Sequence, residues 1–264
     1  MTGPSDGNRE FPWWLVATVA IGLYLGWRVV ADEIYSEVIA ILARGIGVTI
    51  FVTCVAFAGA AALGLVLALG VLSRFMVLRQ ICRFYIEIMR GIPILVLLFY
   101  IAFVGAPALV AGLNAVVEPL GLEPWRTRDL SLMWRAILAL MLAYAAFIAE
   151  VFRAGLQSVD RGQIEAAEAL GLSRWQRFRH IVFPQAIRVI LPPLGNDFIA
   201  LIKDSALVSV LGVADITQLG KIYAAGSFRF FETYNVVAYI YLILTLGLSL
   251  ALRALERRLR AKEI

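Results

Sequence analysis

An otherwise apolar stretch of this chain contains four polar residues after a predicted helix break at Pro192-Pro193: Asn196, Asp197, Lys203 and Asp204. A charged side chain at the centre of a bilayer costs about 2.5–3.5 kcal/mol on insertion scales, so such groups normally face a cavity or a partner. Residues seven apart return to the same face of a helix after two turns. Asn196 therefore aligns with Lys203, and Asp197 aligns with Asp204. The spacing predicts two polar stripes on one helix, which could bind the charged groups of a polar solute.

Two acid–base pairs elsewhere in the chain have the helical i,i+3 spacing, Glu87 with Arg90 and Glu150 with Arg153. Together with the stripes they form two groups of candidates. The substrate-pathway candidates are Glu150, Asn196, Asp197 and Lys203. The structural or gating candidates are Glu87, Arg90, Arg153 and Asp204. An alternative role stays open for the whole set, because polar side chains also pair across membrane helices and fix their register.

The most polar long stretch is "EAAEALGLSRWQRFRHIVFP", residues 165–184. Its alanines favour a helix, and Gly171 suits the left-handed position that ends one. Ser173 lies three residues before Gln176, which is capping-box spacing, so a second helix is predicted from there to Pro184. The stretch is thus predicted to form a helix, a sharp turn and another helix. It is suited either to docking against a partner or to lying on the membrane surface.

The composition places these residues in a membrane protein. The 264 residues are 61% hydrophobic and 16% charged, and the mean hydropathy is +0.84. A membrane-spanning helix needs about 20 apolar residues. Such windows occur at 13–31, 46–72, 92–112, 132–152, 194–212 and 233–254. We therefore predict an all-α membrane protein with about six transmembrane helices. Cleavage of the first window as a signal peptide is the alternative, although its length and Arg28 argue against it.

The basic residues predict the orientation. With the N-terminus in the cytoplasm, the inside segments hold 15 Lys and Arg residues and the outside segments hold 5. The inside segments are 1–12, 73–91, 153–185 and 253–264, and the outside segments are 32–45, 113–131 and 212–232. Positive charge concentrates on the cytoplasmic side of membrane proteins. Both termini and the 165–184 stretch are therefore predicted to be cytoplasmic.

Several kinds of chemistry find no support in the sequence. His180 is the single histidine and cannot build a metal site. Cys54 and Cys82 lie in or beside apolar segments and suggest no disulfide framework. No GxxxxGK[ST] phosphate loop occurs, so the chain has no motif for binding ATP. The basic C-terminal end is interpreted as a membrane-orientation anchor, and no nucleic-acid partner is expected. We predict no catalytic residues, no metal and no cofactor bound by this chain.

Four ordered motifs resemble permease subunits of bacterial ATP-binding-cassette importers. Glu165-Ala166-Ala167 with Gly171 after three residues resembles the EAA loop of that family. The flanking stretches "YAAFIAEVFRAGLQSVDRGQIEAAEALGLS", "VFPQAIRVILPPLGNDFIALIKDSALVSVLGV" and "YIEIMRGIPILVLLFYIAF" are similar to its polar amino-acid branch. The resemblance covers about residues 42–260. Phe183 and Asp160 depart from residues usual in the family, which affects loop geometry more than the assignment.

The resemblance implies a type I importer fold, with a five-helix core and one extra N-terminal helix. It divides the chain into an N-terminal region, 1–41, and a transmembrane domain, 42–264, whose coupling loop spans about 160–184. By analogy, the residues that couple to an ATPase are Gln163, Glu165, Ala166, Ala167, Leu170 and Gly171. The implied mechanism is alternating access in the bacterial inner membrane, driven by ATP hydrolysis on other subunits.

The implied partners are a second permease subunit, two cytoplasmic ATP-binding subunits that hold ATP and Mg²⁺, an extracytoplasmic amino-acid-binding protein, and membrane lipid. The family forms both homodimers and heterodimers. Two other classes remain compatible with the residues themselves. A channel or ion-coupled transporter would use the intramembrane charges without an ATPase, and a membrane scaffold would need them only for stability.

Overall fold

The computed structural model describes residues 13–260, which form a bundle of helices without strands in that range. The first five helices are α1 Trp13–Ala31, α2 Glu33–Val71, α3 Met76–Gly91, α4 Ile94–Tyr100 and α5 Ala106–Val117. The other six are α6 Leu132–Gln157, α7 Arg161–Ala169, α8 Arg174–Arg177, α9 Phe183–Asp204, α10 Ile216–Ser227 and α11 Phe230–Arg260. Residues 1–12 and 261–264, which include both predicted cytoplasmic ends, lie outside the described residues.

Four helical segments are long and apolar enough to cross a membrane: Glu33–Val71, Ile94–Leu120, Leu132–Gln157 and Phe230–Leu255. The shorter apolar helix Val16–Ala31 corresponds to the predicted first span. The second segment combines α4 and α5 through a π-helical turn at Ile101–Gly105. The prediction of an all-α membrane protein is confirmed, and six crossings are reached when α1 and α9 are included.

Helix α6 lies at the centre of the bundle and packs against α2, α3, α4 and α9. Its buried face is rich in alanine, including Ala136, Ala139, Ala143 and Ala146. Small side chains allow close approach between membrane helices, where van der Waals packing rather than the hydrophobic effect drives association. Gly155 shows the same principle, because a Cβ there would collide with the side chain of Ile190 on α9. The close fit fixes the position of α9 beside α6.

Helix α2 is longer than predicted, with 39 residues that begin at Glu33. The sequence window started at residue 46, and residues 32–45 were predicted to be an outside segment. Residues 33–45 belong to the helix, and Asp32 caps its start by accepting a hydrogen bond from the Ile34 amide at 3.0 Å. The apolar window marks only a continuous run of apolar residues, whereas the helix extends beyond it on the N-terminal side. Buried Tyr35, Val38 and Leu42 pack this extension against α10 and α11.

The predicted break at Pro192-Pro193 is also wrong. Helix α9 runs without interruption from Phe183 to Asp204, with both prolines inside it. A proline removes one backbone hydrogen bond and crowds the preceding turn, but the flanking bonds can continue the helix. Neighbouring membrane helices support such positions. A 3₁₀ segment, Ser205–Leu211, extends the helix and ends at Gly212, whose φ is 77°.

Candidate functional site

The loop between α6 and α9 begins with the short helix α7. Asp160 caps it, since one carboxylate oxygen accepts from the amides of Gly162 at 2.7 Å and Gln163 at 3.3 Å. At its other end Gly171 has a φ of 79°. Its amide donates to the Glu168 carbonyl at 2.9 Å, and the Leu172 amide donates to Ala167 at 3.1 Å. This is the Schellman arrangement, so the predicted helix and glycine stop are confirmed.

The second helix of the loop starts at Ser173, as predicted. The Ser173 amide donates to the Gln176 side chain at 2.9 Å, and the Gln176 amide donates to the Ser173 hydroxyl at 3.3 Å. The capping box is therefore formed. The predicted end of this helix at Pro184 is wrong, because α8 continues through a π-helical turn, Phe178–Val182, into α9. Pro184 follows the π-helical turn directly and lies inside this continuous helix, where it removes one backbone donor.

Two polar contacts hold α7 against α8 and the base of α9. Glu168 forms an ion pair with Arg177 at 2.7 Å. The Gln185 side-chain amide donates to the side-chain oxygen of Gln163, also at 2.7 Å. Beneath them an apolar cluster, Val159, Ile164, Ile181, Val182, Ala186 and Ile190, packs with residues near the end of α6. The loop is thus attached to both long helices.

The residues predicted for coupling lie on α7 and on the turn that ends it. Gln163, Glu165, Ala166, Leu170 and Gly171 are exposed. Leu170 is 80% exposed, so an apolar side chain is accessible at the end of α7. Ala167 is buried beneath them, where it packs inside the loop. A shallow pocket of about 350 Å³ opens beside this face, between α7 and the start of α9.

A second, strongly polar pocket of about 440 Å³ lies where α3 and α6 meet the end of α2. Glu150 and Arg153 form the predicted ion pair there, with Arg153 Nε 2.9 Å from Glu150 Oε2. Arg153 also donates to Gln157 at 2.7 Å. Glu87 and Arg90 line the same pocket. Within the described chain they form no ion pair with each other, although Arg90 lies 5.8 Å from the ring centre of Phe147.

The two predicted stripes on α9 face different surroundings. Asn196 and Lys203 are exposed on the surface of the single subunit, whereas Asp197 and Asp204 are half-buried. The Tyr144 hydroxyl of α6 donates to Asp204 Oδ2 at 2.7 Å. Asp197 Oδ2 is buried and has no hydrogen-bond partner among the described residues. A buried carboxylate oxygen without a partner is costly and marks a position that function or assembly must explain.

The candidates do not converge on one site. The pocket around Glu150 includes none of the four polar residues of α9, so the structure does not bring Glu150 and Asn196 together. Tyr144 was not among the sequence-predicted residues, because a tyrosine in an apolar helix gives no signal until its partner is known.

Another residue that the sequence analysis missed is Asp215, which caps α10. It is fully buried and accepts from the Gln218 amide at 2.8 Å and from the Tyr241 hydroxyl at 3.2 Å. Burial raises the pKa of the Asp215 carboxyl above its ordinary value, against the lowering effect of these hydrogen bonds. Gly45 on α2 lets the α10 backbone approach at this point. The N-cap spacing from Asp215 to Gln218 was the available sequence signal.

The fold and the loop define a class: a multi-pass helical membrane protein that presents a rigid, capped helix at one end of its bundle. Residues 60–261 match the family described as binding-protein-dependent transport system inner membrane component. This chain belongs to that family and is a multi-pass inner membrane protein. The resemblance noted from the motifs is confirmed.

Individual relatives agree with this assignment. The chain is 38% identical over 216 residues to the probable amino-acid permease protein YxeN of Bacillus subtilis strain 168, covering 82% of this chain and 90% of YxeN. It is 36% identical over 222 residues to the glutamine transport system permease protein GlnP of Escherichia coli K12, covering 84% of this chain and 94% of GlnP. A crystal structure of an amino acid ABC transporter with histidines matches with a TM-score of 0.70 and 34% identity, covering 84% of this chain and 96% of the chain in that structure.

Proposed function

We propose that this chain is the membrane-spanning subunit of an ATP-driven importer of a polar amino acid. The relatives that it matches over more than four-fifths of its length are named as amino-acid permeases. The observation that carries the coupling part of the proposal is the geometry of α7. It has a cap at each end, small exposed side chains, and attachments to both α6 and α9.

In this mechanism α7 docks into a groove of a cytoplasmic ATP-binding subunit. The small side chain of Ala166 allows another protein to approach the backbone closely, and Leu170 offers an apolar anchor. When two such subunits close around ATP, they draw the docked helices together. Because the Glu168–Arg177 ion pair ties α7 to α8 and the Gln163–Gln185 contact ties it to α9, the displacement passes into the bundle. The bundle then alternates between inward-open and outward-open states.

The substrate pathway is proposed to use two polar regions in succession. Asn196 and Lys203 are exposed on the side of α9, which is expensive in lipid unless a second permease subunit covers them and encloses a polar path. The pocket around Glu150 and Arg153 offers two acidic and three basic groups, which match the ammonium and carboxylate of an amino acid. The hydrogen bond from Tyr144 to Asp204 joins α6 to α9.

The proposed assembly contains two permease subunits, identical or homologous, two ATP-binding subunits that hold ATP and Mg²⁺, and an extracytoplasmic binding protein that delivers the amino acid. Both termini of the permease are cytoplasmic. In this orientation α7 and the pocket around Glu150 lie on the cytoplasmic side, and α10 lies on the opposite side. The uneven distribution of Lys and Arg supports the orientation.

Uptake of radiolabelled amino acids into proteoliposomes containing the assembled complex tests this function. We expect uptake only when ATP and binding protein are supplied on the correct sides. Uptake that persists without ATP under a proton or sodium gradient would show an ion-coupled transporter instead. Uptake that survives in Glu150→Ala and Asn196→Ala variants of normal expression would remove both residues from the pathway.

A further inference from the structure

An exposed group of aromatic and basic side chains lies on the side of the loop formed by α8 and the start of α9. We call it the aromatic–basic patch, and it consists of Arg174, Trp175, Phe178, Arg179 and Phe183. The three rings form a continuous row, with centroids 5.8 Å apart for the first pair and 5.9 Å for the second. Their exposed fractions are 64%, 38% and 48% in chain order. A groove of about 460 Å³ runs along them beside Arg179.

The arginines of this segment divide into two kinds. Arg177 is only 15% exposed at its side chain and is neutralised by Glu168. Arg174 and Arg179 are exposed. Among the side chains that the structure describes, no carboxylate forms an ion pair with either of them. The patch therefore presents two uncompensated positive charges next to a row of apolar rings, a combination that complements an anionic headgroup attached to acyl chains.

The position of the patch relative to the membrane follows from packing. Ile181 and Val182 pack with Leu156 and Val159, at the point where α6 ends. Phe183 is therefore level with the end of a membrane-spanning helix. From the patch the chain continues as an unbroken helix into α9. Tryptophan is enriched at this boundary, where headgroups meet the hydrocarbon region, and helices that lie in it bury Trp and Phe side chains there.

We propose that the aromatic–basic patch binds an anionic phospholipid at the membrane surface. The rings enter the boundary region, and Arg174 and Arg179 contact the phosphate and headgroup. The groove of the patch shares no lining residue with the pocket beside α7. The lipid-binding face is thus distinct from the face proposed to dock an ATP-binding subunit. The contact holds the base of the coupling loop at the membrane surface and does not depend on which solute is transported.

The test uses the emission of Trp175, isolated by subtracting the emission of a Trp175→Phe variant because the chain has six tryptophans. The purified full-length chain, with its co-purifying subunits, is placed in vesicles containing increasing mole fractions of brominated phosphatidylglycerol. A parallel series uses brominated phosphatidylcholine. Each arginine near an anionic surface contributes a roughly fivefold preference. We expect half of the Trp175 emission to be quenched at a mole fraction of brominated phosphatidylglycerol at least about fivefold lower than the mole fraction of brominated phosphatidylcholine that has the same effect.

An Arg174→Gln, Arg179→Gln double variant supplies the second arm. It should abolish the preference while leaving quenching by both lipids, because the rings still reach the boundary. Equal quenching by the two lipids in the native chain would overturn anionic recognition. Trp175 emission that neither lipid quenches would also overturn the proposal and would place a protein subunit over the patch. Size-exclusion profiles matching the native chain confirm that the variants are folded.

Discussion

Two substitutions of different severity at Gly171, in the turn after α7, test whether this helix docks the ATP-binding subunit. Gly171 occupies the left-handed region with a φ of 79°, and no atom lies within 4 Å of a Cβ placed there. Alanine at this position therefore meets no steric obstacle, and its only cost is the free energy of holding an L-residue in the left-handed conformation. That penalty is about 1–2 kcal/mol for an L-residue, which changes the equilibrium between the native turn and its alternatives by about five- to thirtyfold.

Proline at position 171 is a stronger change. Its ring fixes φ near −65°, which is incompatible with the observed conformation. It also removes the amide that donates to the Glu168 carbonyl at 2.9 Å. The combined cost is about 3 kcal/mol or more, which exceeds what the Glu168–Arg177 contact can offset. We expect Gly171→Ala to reduce, and Gly171→Pro to abolish, recovery of the ATP-binding subunit with the tagged permease in mild detergent.

Gly121 provides a matched control. Its φ is 74°, its amide donates to Glu118 at 3.0 Å, and a Cβ there also meets no atom within 4 Å. The same substitutions at Gly121 impose the same strain far from α7 in the chain. They should leave recovery of the ATP-binding subunit unchanged. Equal losses from both glycines, or full recovery with Gly171→Pro in a normally inserted protein, would refute the assignment of α7 as the docking helix.

Three further substitutions test the bundle and its polar regions. Tyr144→Phe leaves half-buried Asp204 without its hydrogen-bond donor, so we expect about 1–3 kcal/mol of lost stability, measured as a lower thermal unfolding midpoint in detergent. Glu150→Gln should lower uptake by about tenfold or more at unchanged expression, because it removes a charged hydrogen-bond acceptor from the polar pocket; unchanged uptake would exclude that role. Gly155→Leu should overpack the contact with Ile190, lower the free energy of unfolding by at least about 1–3 kcal/mol and reduce the yield of folded protein. A native yield would contradict the close packing of α6 against α9.

The local structure of the coupling loop was predictable because its signals are local. Asp160, Gly171 and the Ser173–Gln176 pair specify caps through hydrogen bonds within a few residues, and all of them form. The composition likewise predicted an all-α membrane protein, since lipid requires the backbone to satisfy its own hydrogen bonds. The stripes on α9 followed from helical periodicity, which a continuous helix preserves.

The errors arose where distant parts of the chain decide the outcome. The sequence predicts a break at Pro192-Pro193, but α9 continues, supported by packing against α6 and α11. Whether Glu150 and Asn196 share a pocket also depends on which faces of α6 and α9 meet, at the contact of Gly155 with Ile190, and the sequence does not show this. Tyr144 gained significance only through Asp204, 60 residues away. Apolar windows also underestimated α2, because hydropathy reports lipid contact rather than helix length.

Site-specific photo-cross-linking from α7 is the most direct test of the central claim, that transport energy enters this chain through that helix. A photoreactive residue replaces exposed Ala166, and a second variant carries it at Leu122, which is 60% exposed and lies outside the loop. Irradiation of the assembled complex in membranes should join position 166, and not position 122, to a subunit that mass spectrometry identifies as an ATP-binding protein. Adducts from position 166 with lipid alone would contradict the account.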